Sequence, residues 1–175
     1  GSFDAAEILK NTRAARPQGL GSELRPVLST HCLVARSGIK RKEDLFRAAA
    51  EMFSRQYEDI SPDLIIAALW ERERMQNTSL GSVGMALPHA TLSQASGTRV
   101  GIITLQEPIE YGASDNALLD VFVFTMGSPS NRQGHLRILA EISKMTIETP
   151  FLERIRSAVD AQQMLAAVED CLKKL

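Results

Sequence analysis

The sequence is poor in the residues that mark most specialised protein classes. It has two cysteines, Cys32 and Cys171, far apart in the chain. A disulfide framework or a thiolate metal site needs more of them at paired spacing, so both are read as reduced thiols of a cytosolic protein. Charge of one sign is not in excess: 20 Lys and Arg stand against 21 Asp and Glu, a formal net charge of -1. That balance excludes the clustered positive footprint of a nucleic-acid binder. No apolar run approaches the roughly 18 residues that span a bilayer, and no secretory signal is visible. Several catalytic signatures are missing as well: Gly-x-Ser-x-Gly, His-Glu-x-x-His and any metal-spaced Cys/His cluster. His31-Cys32 with His89 lacks zinc spacing, and no metal or cofactor is implied. Gly81 and Gly84 are not followed by Gly-Lys-Ser/Thr, so they do not form a nucleotide phosphate cradle.

What remains is an ordinary globular composition, 44% hydrophobic and 23% charged over 175 residues. Such a chain suits one domain with a sizeable core. Residues 1–23 are read as a tail or linker. Asp4–Asn11 has room for a short helix, and Arg16–Ser22 mixes proline, glycine and serine. The chain opens Gly1-Ser2 without an initiator Met, which reads as a cloning scar on a piece of a longer protein.

From Leu24 onward, strand-like and helix-like patterns interleave. Short apolar strands are expected at Cys32–Ala35, Val83–Leu87, Arg99–Leu105 and Leu119–Met126, the last buried on both faces. Helices are expected at Lys42–Arg55, from Ser61-Pro62 to about Met75, from about Asn131 to Thr146, from Thr149-Pro150, and from an Asp160/Gln163 capping box to about Leu172. The interleaving predicts an α/β sandwich of helices around a central, mixed, mainly short-stranded sheet.

Two polar residues sit on stripes that should face the core. His135 precedes Ile138, Leu139 and Ile142 by three, four and seven residues, so its imidazole points with the apolar side chains. Arg72 follows Ile65, Ala68 and Leu69 by seven, four and three. A guanidinium drawn out of water needs a partner: an anion, a nearby Glu, or the surface reached by snorkelling. His89 follows Met85-Ala86-Leu87-Pro88. The proline should end the strand and present His89 in a loop at the edge or tip of the sheet. Leu92 and Met85 are read as surface residues around it.

Together these segments resemble a known family. Arg72-Glu73-Arg74-Met75-Gln76-Asn77-Thr78, then Gly81 through Met85-Ala86-Leu87-Pro88-His89, is similar to the signature of the fructose/mannitol-type IIA domain of the bacterial sugar phosphotransferase system, including its nitrogen-related branch. Pro108-Ile109-Glu110-Tyr111-Gly112-Ala113 with Asp115 resembles that family's hairpin before the central strand. His135-Leu136 with Leu139-Ala140 resembles its second-histidine helix. The resemblance runs from Leu24 to Leu172. The sequence departs from the pattern at Ala90, where glycine is usual, at Asn77, where serine is common, and by one extra residue between Thr78 and His89.

The resemblance implies a mixed α/β sandwich and a cytoplasmic phosphoryl carrier. His89 would accept a phosphoryl group from a histidine phosphocarrier protein and pass it to a IIB component or answer to a regulated partner. Arg72 would hold the phosphoryl oxygens with two donors. His135 would bond a phosphoryl oxygen or steady His89, and Thr78 would donate its hydroxyl to the same site. The alternative is a degenerate or regulatory IIA-like binding module without phosphoryl turnover, which could be the cytoplasmic domain of a transporter.

Overall fold

The computed structural model describes residues 22–57, 59–113 and 115–175. The helix expected at Asp4–Asn11 and the expected tail or linker up to residue 21 lie outside the described residues, which take in only Ser22 and Glu23 of it. In chain order the elements are β1 (Leu33–Ser37), α1 (Lys42–Ser54), α2 (Pro62–Met75), β2 (Ser79–Leu80), β3 (Met85–Ala86), β4 (His89–Thr91), β5 (Arg99–Glu110), β6 (Leu118–Gly127), α3 (Arg132–Glu148), α4 (Phe151–Ser157) and α5 (Ala161–Leu172).

Local chemistry sets the helix boundaries. The Ser61 side chain accepts from the Leu64 amide at 3.3 Å, with Pro62 in the first turn of α2. Asp160 caps α5 by accepting from the Gln163 amide at 2.8 Å. The return bond of this box is displaced by one residue, since Gln163 accepts from the Val159 amide at 3.0 Å rather than from Asp160.

The sheet is mixed, with strand order β1-β5-β6-β3-β2 and β4 also on β6. β5 and β6 form an antiparallel hairpin, β1 lies parallel to β5, and β3 and β4 lie parallel to β6. β5 runs five residues past the expected end at Leu105. A register shift between Thr104 and Ile109 carries the polar Gln106-Glu107-Pro108 stretch into the hairpin, and a proline is tolerated at such an irregularity.

Alternation along β6 builds the two layers of the sandwich. Phe122, Phe124 and Met126 pack with the apolar stripes of α1 and α2, including Phe46, Ile65 and Leu69. Val121 and Val123 pack on the other face with Ile138, Ile142, Phe151 and Val168. Thr125 shares that second face, a lone hydroxyl in an apolar strand. Among the described residues no helix is long and apolar enough to cross a membrane.

Candidate functional site

His89 does not sit in a loop. It is the first residue of β4 and pairs with Thr125 of β6. Pro88 interrupts the ladder because it has no N–H, yet its carbonyl accepts from the Thr125 amide at 3.1 Å. The edge strand therefore resumes at once, and the histidine is held by a sheet rather than by a flexible turn.

The His89 ring is buried, 4% exposed, and both of its nitrogens are engaged. Nδ1 lies 2.8 Å from the Leu87 carbonyl, and Nε2 accepts from Arg72 Nε at 3.0 Å. A carbonyl only accepts, so Nδ1 carries the proton and Nε2 presents its lone pair. Burial, followed by the adjacent Arg72 cation, lowers the His89 pKa to about 4, against an opposing pull from the Leu87 carbonyl. The imidazole is neutral at physiological pH, which is the nucleophilic form.

Arg72 arrives from the last turn of α2, buried as its stripe predicts. At 7% exposed, it does not snorkel to the surface. One terminal nitrogen donates to the Gln76 carbonyl at 2.7 Å, and Nε faces the histidine. The guanidinium is thus fixed by its own helix end and aimed at the reactive nitrogen.

His135 projects from the first turn of α3 and is wholly buried. Its Nε2 lies 2.7 Å from Thr125 Oγ1, and its ring stands edge-on to His89 with centroids 5.9 Å apart. Burial, then the neighbouring His89, lowers its pKa to about 3. Gly127 makes room for it: a Cβ there would lie 2.9 Å from His135 Nδ1.

Thr78 is brought to the site differently. It lines the same cavity as Arg72 and His89, but its hydroxyl is hydrogen-bonded to Glu73 Oε1 and lies 3.1 Å from the Tyr111 hydroxyl. Glu73 Oε1 also accepts from Tyr111 at 2.9 Å, and Oε2 from Lys42 Nζ at 3.2 Å. Lys42 in turn donates to the Tyr111 carbonyl at 2.9 Å and lies 3.8 Å from the centre of its ring. This buried network pins the end of α2, and with it Arg72, to α1 and to the β5–β6 connection.

Arg72, Thr78 and His89 face a cavity of about 410 Å³ whose other walls include Leu80, Val83 and Ile147. His135 is not among its lining residues and stands behind His89. Met85 is buried in the α3-side core rather than at the surface, and Leu92 is half-buried.

Sequence reasoning did not assign roles to Thr125, Glu73, Lys42 or Tyr111. Thr125 carried a signal, a single hydroxyl inside the Val121–Met126 apolar run. Glu73 and Tyr111 fall inside the segments that carry the resemblance, without a role of their own there, and nothing local marks Lys42.

Residues 27–171 match the model of the "Phosphoenolpyruvate-dependent sugar phosphotransferase system, EIIA 2" family. The chain belongs to that family. It is 25% identical over 149 residues to the nitrogen regulatory protein of Escherichia coli (strain K12), across 85% of this chain and 90% of that one. In fold it resembles the nitrogen regulatory protein IIA-Ntr of Neisseria meningitidis, with a TM-score of 0.77 and 20% identity over 84% of this chain and 99% of that one. It also resembles the mannitol IIA enzyme of Escherichia coli, solved in complex with phosphorylated mannitol IIB. There the TM-score is 0.68 and the identity 17%, over 85% of this chain and 98% of that one. The mixed α/β sandwich read from the sequence is the fold of these proteins.

Proposed function

We propose that this domain is a cytoplasmic phosphohistidine carrier in which Nε2 of His89 accepts a phosphoryl group from a histidine phosphocarrier protein and passes it to a IIB component. The observation that carries the reading is the 3.0 Å contact between Arg72 Nε and His89 Nε2, with Nδ1 anchored on the Leu87 carbonyl.

The chemistry follows from that tautomer. The Nε2 lone pair attacks phosphorus in line, an Nε2–P bond forms, and the donor's N–P bond breaks, its electron pair returning to the donor imidazole. The accepting ring gains positive character, which the Nδ1–H bond to the Leu87 carbonyl spreads and stabilises. Arg72 begins on the lone pair and passes to the incoming phosphoryl oxygens, where its fixed guanidinium opposes the developing negative charge. His135 acts as a positioning residue, steadying His89 from behind through the edge contact and its bond to Thr125. Thr78 contributes mainly through Glu73, holding the end of α2. Residues 1–23 serve as the tail or linker of the carrier domain in this reading, and bacterial sugar uptake is the process it would feed.

A second reading, favoured by the likeness to nitrogen regulatory proteins, keeps the phosphohistidine but has its state govern a partner protein instead of a IIB component. One experiment tests the step common to both. The domain is incubated with phosphoenolpyruvate, its phosphotransferase and a histidine phosphocarrier protein, and the product is read by phosphorus NMR. Acid-labile phosphate on Nε2 of His89, absent from His89→Ala, is the expected result. A domain that takes up no label, or takes it up elsewhere, overturns the proposal. Adding a IIB component then separates the two readings by whether the label moves on.

A further inference from the structure

A second cleft, of about 470 Å³, shares no lining residue with the cavity at His89. It is lined by Arg36, Thr104, Leu105, Gln106, Asp120 and Arg156. Arg36 adopts a φ of 50°, the left-handed region that a long L side chain seldom occupies. It does so where the β1–β5 register slips between Val34 and Ser37. Its amide bonds Thr104 Oγ1 at 2.8 Å in place of a strand carbonyl. Strain of this kind at a surface strand is a cost that glycine would remove; the register slip and the Thr104 bond hold it in place and set the side chain in one direction.

That direction is the cleft. One terminal nitrogen of Arg36 makes long bonds to the carbonyls of Arg156 and Ser157, at 3.4 and 3.3 Å. Among the described residues no carboxylate pairs with it. Arg156 is already committed: its Nε meets both Asp120 oxygens at 3.0 and 3.2 Å, and its terminal nitrogen meets Asp120 Oδ1 at 2.9 Å and the Val83 carbonyl at 2.6 Å. Arg156 and Asp120 therefore neutralise each other, and the charge of Arg36 is left for something else. Thr104 accepts from Arg36 and keeps its own O–H to donate, and Gln106 offers an exposed amide at the rim.

We propose that this cleft binds the oxyanion head of a small molecule, a phosphate or a carboxylate, clasped by the Arg36 guanidinium and bonded by Thr104 and Gln106. The proposal stands apart from phosphoryl transfer at His89 and does not depend on it.

Amide NMR spectra of the domain, titrated with inorganic phosphate and separately with acetate at constant ionic strength, test it. In at least one titration the amides of Arg36, Ser37 and Gln106 should shift saturably, with a Kd of about 1 mM. Which anion saturates identifies the head group. Arg36→Asn removes the guanidinium while keeping a residue that tolerates the left-handed backbone. Gln106→Glu places a repelling charge on an exposed rim without touching the bulge. Each should weaken binding by about tenfold, or 1.4 kcal/mol, and His89→Ala should leave it unchanged. Shifts that fail to saturate with either anion, shifts confined to the His89 cavity, or an unaltered Kd in both cleft variants would overturn the proposal.

Discussion

Lowering the pH should destabilise this fold through two buried imidazoles. His89 and His135 have pKa values near 4 and 3 in the folded chain, both depressed chiefly by burial, against about 6.5 when unfolded. Below pH 6.5 the unfolded chain binds protons that the folded chain refuses, so stability falls as pH falls. The loss is complete for each group only below its folded pKa. At pH 5 both folded rings are still neutral, so the penalty there depends on the unfolded value alone. It is about 2 kcal/mol for each histidine, or about 4 kcal/mol together relative to neutral pH. The single tryptophan, Trp70, packs 4.7 Å from Phe46 between ring centres and reports unfolding by fluorescence. Urea titrations at pH 7 and pH 5 then give the loss directly. The double variant His89→Gln/His135→Gln removes the two groups while leaving every carboxylate in place. Its stability should fall by about 4 kcal/mol less than that of the wild type over the same interval. Equal losses in the two proteins would refute the assignment of both rings as buried and neutral.

Two further outcomes follow from the bonds around Arg72. Arg72→Lys keeps the charge but loses the planar donor aimed at His89 Nε2, and initial rates of label uptake should drop by about 100-fold with the fold intact by circular dichroism. Glu73→Gln leaves Lys42, whose side chain is 15% exposed, without its counter-charge. Thermal or urea unfolding should show a loss of about 3 kcal/mol, and the slower uptake of label should be reproduced by Tyr111→Phe without the full loss of stability.

Much of the architecture was legible because it rests on periodicity and caps. The Ile65–Leu69–Arg72 and His135–Ile138–Leu139–Ile142 stripes fixed which way both polar residues face, and Ser61-Pro62 fixed where α2 starts. Three features were not legible, each for a different reason. The sheet recaptures the chain after Pro88 through a bond from the Thr125 amide, a long-range pairing that local rules cannot express. The resemblance placed the Thr78 hydroxyl at the site, and no local pattern shows that Glu73 and Tyr111, from α2 and just past the end of β5, also bond it. Ser37-Gly38 announces a turn after β1, but the left-handed backbone falls one position earlier, on Arg36, where the register slip against β5 puts it.

The departure at Ala90 can be weighed by the same alternation that places His89. Adjacent residues of β4 face opposite sides of the sheet. His89 pairs with Thr125 on the α3 side, and Ala90 pairs with Met126 and packs in the α1/α2 core, 2% exposed. The methyl group that replaces the family's usual hydrogen therefore points away from Nε2 and from the cavity beside it. Restoring the glycine by Ala90→Gly should destabilise the strand by about 1 kcal/mol through backbone freedom while leaving the rate of phosphate uptake as it was. A change in that rate of about tenfold, equivalent to about 1.4 kcal/mol in the barrier, would mean that the backbone of β4 moves during transfer and that the rigid presentation of His89 described above is wrong.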